Sequence, residues 1–277
     1  MSTFVLSAFA DEISPHLDEQ VRVLHQHGLN HIEVRSLEGQ GILDYALPQI
    51  EEIGRVLAGE GLAVSALGSP IGKTAISDPF PPHLERFKKA LAAADRLHTR
   101  FIRMFSFYMP PGADPALYRV EVVRRWQQFA AEVEGTDFVL LHENERGIYG
   151  DMASRCLDLL DSLHHPQVRA VFDPANFVQC GEETYPRALE MLRQHVAYLH
   201  IKDALYKNRS VVPAGQGDGQ LKEILQDLAG SGFSGFLSLE PHLAHGSQPG
   251  GGPQQFAVAV SALKAILTDI GCAPEAN

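Results

Sequence analysis

The sequence is poor in features that would assign its class early. Only three cysteines occur in 277 residues, Cys156, Cys180 and Cys272. Their number is odd and no two stand in a CxxC spacing. That argues against a disulfide framework and a zinc–thiolate site, and it fits a reducing compartment. No uninterrupted apolar run reaches the roughly 20 residues that cross a bilayer. The opening MSTFVLSAFADEIS has no basic stretch before its apolar residues and does not read as a signal peptide. A cytoplasmic protein without a membrane partner is the expectation. A basic run is also missing. With 34 acidic against 23 basic side chains the formal charge is −11, and a field of that sign repels nucleic acid. The first apolar run lacks a dinucleotide glycine fingerprint, and the glycine-rich AGQGDG at 214–219 lacks the Lys-Ser/Thr ending of a P-loop. What is present is ordinary globular composition, 45% hydrophobic and 21% charged, in a chain long enough to bury a large core.

Short β-branched or aromatic runs alternate with amphipathic stretches. The runs at 4–9, 31–34, 63–67, 101–105, 138–142, 169–172, 198–201 and 235–239 read as strands. Leu17, Val21 and Leu24 recur at one-face helical spacing, with Ser14 and Pro15 as the expected N-cap and first position, and Gly28 as the stop. Further helices are expected at 48–59, 82–97, 115–134, 152–163, 185–195, 221–228 and 254–270. Strand–helix alternation predicts a parallel sheet, and eight units predict an α/β fold of one closed (β/α)₈ TIM barrel. That single domain is expected over 1–272, with 273–277 a disordered tail. The stretch GSQPGGGP at 246–253 reads either as a mobile loop beside the barrel mouth or as a passive connection.

Four ionisable residues fall at or just past the ends of successive strands: Glu143 after FVLLH, Asp173 after RAVF, His200 in AYLHIKD and Glu240 after GFLSL. In a barrel the C-terminal strand ends converge on the catalytic face. Burying three carboxylates together is prohibitive unless their charge is cancelled. One divalent cation cancels it, and three oxygen donors with one imidazole suit Mn²⁺ first, with Co²⁺, Mg²⁺ or Zn²⁺ open. Each residue alone has a plainer reading: Asp173-Pro174 as a helix cap, His200 as a strand-end histidine, the glutamates as arginine partners.

The stretches LHENERGIYGD, VFDPANFVQCG, LHIKDA, VPAGQGDG and GFLSLEPH resemble successive motifs of the xylose isomerase-like barrel superfamily, the group that also holds AP endonuclease family 2, and in particular its sugar phosphate isomerase/epimerase members. The resemblance covers nearly the whole chain. It implies a metal site of Glu143, Asp173, His200 and Glu240, with the two glutamates as the proton-moving pair. It also implies a homodimer or homotetramer. The chain departs from ketose 3-epimerases at Asn176, where they carry His, and at Tyr206, where they carry Arg.

The expected chemistry is proton abstraction next to a metal-bound carbonyl of a small sugar, ketose or keto-polyol, through an enediolate. The outcome is isomerisation or epimerisation, or alternatively dehydration of a keto-inositol or keto-sugar. An endonuclease IV-like hydrolase fits the acidic balance poorly, and a non-catalytic sugar-binding barrel stays open. Candidate substrate contacts are Arg35, Asn176, Lys202, Asp203 and Arg209. Arg35 is otherwise a rim partner of Glu33, and one of Lys202 and Asp203 is otherwise in a surface ion pair. Arg103 either reaches the mouth or is buried against Glu33 or Glu143. His142 should turn away from the site, and Glu145 and Arg146 are candidates to brace the ligand loop. The AGQGDG glycines have the freedom to wrap an anion with backbone amides.

Overall fold

Alternation along each strand decides which side chains enter the barrel. A computed structural model describes residues 3–243 and 251–272. Its eight parallel strands are β1 (Thr3–Ala8), β2 (His31–Val34), β3 (Ala63–Leu67), β4 (Phe101–Met104), β5 (Val139–Glu143), β6 (Val168–Phe172), β7 (Val196–Ile201) and β8 (Ser234–Leu239). They pair in the order β1-β8-β7-β6-β5-β4-β3-β2. With β1 and β2 side by side, the sheet curls into a nearly closed TIM barrel with helices between the strands.

Inward positions build a floor and, above it, a polar layer. Ala66, Leu141, Val171 and Tyr198 pack together inside the barrel. Among them Ser7 Oγ lies 2.6 Å from Ser65 Oγ, which lies 2.9 Å from the Tyr198 hydroxyl. Two residues further along the strands stand Glu143, Asp173 and His200, one step above Leu141, Val171 and Tyr198. The intervening residues face the helices. His142 is one, packed edge-on against Trp126 and 3.0 Å from Ser106 Oγ.

The outer layer contains α1 (Leu17–Gln26), α2 (Leu47–Gly59), α3 (Phe80–Arg96), α4 (Arg119–Val133), α5 (Ala153–Leu163), α6 (Pro174–Cys180), α7 (Leu189–Leu192), α8 (Leu221–Gly230) and α9 (Gly252–Asp269). Leu221, Ile224, Leu225 and Leu228 form the buried stripe of α8 that their spacing predicts. No helix is long and apolar enough to cross a membrane among the described residues, and all three cysteines are free thiols.

Three expectations need correcting. Ser14 is not the cap of α1: its Oγ accepts from His16 N, and the free Leu17 N–H donates to Glu38 Oε1 at 2.9 Å, a distant cap that spacing does not reveal. The expected helix at 185–195 is broken, because Tyr185 is extended (φ −135°, ψ 134°) and regular α geometry starts only at Leu189. The helix α6 is additional to the expected helices; it is begun by Pro174 and capped by Asp173, the plainer reading of that dipeptide. Most of the 246–253 stretch and the whole 273–277 tail lie outside the described residues.

Candidate metal centre

Glu143, Asp173, His200 and Glu240 meet at the C-terminal mouth of the barrel. All four are buried, and one donor atom from each lies within 4.8 Å of the others. His200 Nδ1 stands 3.1 Å from Glu143 Oε1, 3.5 Å from Glu240 Oε2 and 4.0 Å from Asp173 Oδ2. Ligands bound at about 2.1 Å to one ion sit about 3–4 Å apart, so the spacing suits a shared cation. Two buried polar atoms in this cluster, His200 Nδ1 and Asp173 Oδ2, make no hydrogen bond. Buried lone pairs rarely go unmatched, and a cation between them is the simplest partner.

Neighbouring positive groups divide the load. Arg103 Nη1 donates to Glu143 Oε2 at 3.0 Å, and Arg35 Nη1 donates to Glu240 Oε1 at 2.9 Å. The two guanidiniums lie 5.1 and 4.5 Å from the ring centre of Phe9, which also meets the His200 ring edge-on. Lys202 Nζ lies 2.8 Å from Asp173 Oδ2, without hydrogen-bond geometry there, and donates to Glu240 Oε2 at 3.0 Å.

These charges shift titration in opposite directions. Burial alone would raise Glu143 and Glu240. Around Glu143, His200 and Arg103 outweigh it; around Glu240, Lys202, His242 and His200 do so, and both carboxyls fall below their usual range. For Asp173 burial wins against Lys202, with Glu143 and Glu240 adding to it, and the carboxyl rises to about 6. Burial depresses His200, but Glu143 and Glu33 overcome it and raise the imidazole.

The remaining candidates separate clearly. Asn176 Nδ2 donates to Glu143 Oε1 at 3.3 Å, so the residue standing in place of the epimerase histidine touches a carboxylate of the cluster. Arg35 is held by Asp11 and Glu240, not by Glu33. Lys202 faces inward, whereas Asp203 turns away: its carboxylate accepts from the amides of Gly215, Gly217, Gly219 and Ala204. The AGQGDG loop does wrap an anion, and that anion is Asp203. Asp203 as a substrate contact is therefore corrected, since its oxygens are engaged in the loop. Arg209 stands exposed between Asp203–Ala204 and Val211–Val212, with no side-chain bond to the cluster among the described residues. Tyr206 also points elsewhere, its hydroxyl donating to Glu182 O. Glu145 pairs with Lys73 and Arg146 is exposed. The loop is braced by Asn144, which donates to Asp173 O and accepts from Asp173 N.

Sequence reasoning missed Asp11, Glu12, Asn144 and His242. Asn144 carried a signal, being next to the candidate Glu143. The half-exposed His242 lies 3.3 Å from Glu240 Oε1 and 3.4 Å from Glu12 Oε1. A cavity of about 690 Å³ opens over Asp11, Glu12, Arg35, Ser36 and His242. A second, of about 450 Å³, extends from Arg35 to Arg103 and Lys73.

The match of residues 21–266 to the family described as xylose isomerase-like TIM barrel establishes the class: the chain belongs to that family. No curated protein matches it. Among solved structures it is similar to the probable 3-DHS dehydratase AsbF of Bacillus anthracis (18% identity, TM-score 0.73, covering 95% of this chain and 99% of that one). It is also similar to a D-tagatose 3-epimerase-like protein (14%, TM-score 0.76, 97% and 98%). A third is the IOLI protein with a bound zinc atom (15%, TM-score 0.75, 98% and 99%). At these identities the likeness shows the fold.

Proposed function

We propose that the protein is a divalent-metal-dependent isomerase or epimerase that acts on a small sugar, ketose or keto-polyol. The observation that carries this reading is the convergence of four buried donors, two of them without a hydrogen bond, on one point at the barrel mouth. Glu143, Asp173, His200 and Glu240 would hold the ion, and three oxygens with one imidazole suit Mn²⁺. When bound, such an ion acidifies a proton beside a carbonyl by stabilising the enediolate charge.

The chain's own residues supply the rest. Glu143 and Glu240 approach from strands β5 and β8, and act as the pair that takes and returns a proton. Arg103 and Arg35 each hold the far oxygen of one of these carboxylates, which fixes its direction. Lys202 offers an ammonium to oxygen charge that develops during the reaction. Return of the proton to the opposite face gives epimerisation, and return to the neighbouring carbon gives isomerisation.

The test is solvent exchange in D₂O with a panel of ketoses and keto-polyols. Deuterium at a carbon next to the carbonyl, lost on chelation, supports the reading; no exchange across the panel contradicts it. A dehydratase is the second reading. It is supported by His242, a half-exposed imidazole beside Glu240 that is a candidate proton donor to a departing hydroxyl. An absorbing enone product distinguishes it.

A further inference from the structure

Glu33 is buried at the centre of the barrel with neither carboxylate oxygen in a hydrogen bond. Stranding a carboxylate this way is costly, and a residue that contributed only packing would not need the charge. Its nearest charge partner is the imidazole of His200, whose Nε2 lies 3.3 Å from Glu33 Oε2. The opposite ring nitrogen, Nδ1, faces Glu143, Glu240 and Asp173. The floor beneath is already satisfied, since the Tyr198 hydroxyl bonds Ser65 Oγ.

We propose that Glu33 is the positioning residue of the metal site: it keeps the His200 proton on Nε2 and so directs the Nδ1 lone pair at the ion. This rests on the metal reading above. The physics is that of a carboxylate–histidine–metal array. An acceptor behind the ring fixes the tautomer, fixes the ring plane, and raises the basicity of the ligating nitrogen. The ring has few other restraints. Phe9 and Tyr198 meet it only edge-on, at centroid distances of 5.2 and 5.9 Å. Glu33 comes from β2 and His200 from β7, so the contact spans the barrel, and closure of the barrel itself sets the ring.

The test titrates Mn²⁺ and Zn²⁺ into the full-length protein, with Glu33→Gln and Glu33→Leu beside it, by calorimetry without substrate. Glu33→Leu is expected to bind about 10–100-fold more weakly, with Glu33→Gln between it and the parent, because an amide oxygen keeps an acceptor facing Nε2. The metal-free melting temperature of Glu33→Gln is expected to fall, because the substitution breaks a buried pair with His200, so affinity is the readout that decides. A merely structural Glu33 gives that lower metal-free melting temperature with unchanged affinity. ¹⁵N NMR of the Zn²⁺-loaded parent needs no variant: it should show Nε2 protonated and Nδ1 without a proton. Unchanged affinity in both variants overturns this inference alone. A parent that binds neither ion, or whose loaded form keeps Nδ1 protonated, overturns the metal reading and this one with it.

Discussion

Lys202 Nζ lies 2.8 Å from Asp173 Oδ2, and both side chains are buried. The ammonium carries part of the charge balance in a cluster of carboxylates, whether or not an ion is bound. Breaking a buried pair by removing one partner costs about 3–5 kcal/mol. Lys202→Met should therefore destabilise the chelated protein by about that amount, and saturating Mn²⁺ should restore much of it. Urea unfolding with and without chelator checks this. An equal loss in both conditions would show that the ion does not share the load.

In the proposed metal site Asp173 sets the acid side of binding. Its carboxyl is raised from 3.8 to about 6, by burial foremost. A proton held there competes with the ion. Asp173 alone should weaken affinity about tenfold for each pH unit below 6, and the raised His200 adds a proton competition that already operates above that pH. Metal-free stability has the other sign: the contribution of this group is full below pH 3.8 and is lost as pH rises through about 6. Calorimetric titration across pH 5–8 reads the first effect, and urea midpoints in chelator read the second.

His142 behaves oppositely. Burial holds its imidazole down to about 4 from 6.5. It contributes stability above pH 6.5 that is lost as pH falls through about 4. His142→Gln should flatten the fall of melting temperature across that window.

Asp203 organises the loop after β7. Its carboxylate accepts from four backbone amides, three of them on glycines. Leaving such donors unmatched costs about 1–3 kcal/mol each where water cannot replace the partner. Asp203→Ala should lower stability by about 3 kcal/mol on that scale, with amide exchange accelerated first at 214–219. Unchanged exchange at these glycines would contradict the role.

The barrel was legible because its signals are local. Each strand is a short β-branched or aromatic run, and each ligand stands two positions beyond an inward residue, so alternation alone brings Glu143, Asp173 and His200 together. What stayed hidden depends on partners distant in sequence. Nothing near Glu33 announces His200, and nothing near Leu17 announces the Glu38 cap. Alternation showed that Lys202 and Asp203 face opposite ways without telling which enters the site. Of α6 only the Asp173-Pro174 cap was legible, because PANFVQC follows Asp173 at once, with no polar loop to mark a new element.

The central claim is that Glu143, Asp173, His200 and Glu240 hold one divalent ion. Elemental analysis of the dialysed protein, reloaded with Mn²⁺, tests it most directly when Asp173→Ala and His200→Ala are measured beside the parent. One ion per chain is expected in the parent and none in either variant, with the fold retained by circular dichroism. An ion content that is the same in the parent and both variants would contradict it.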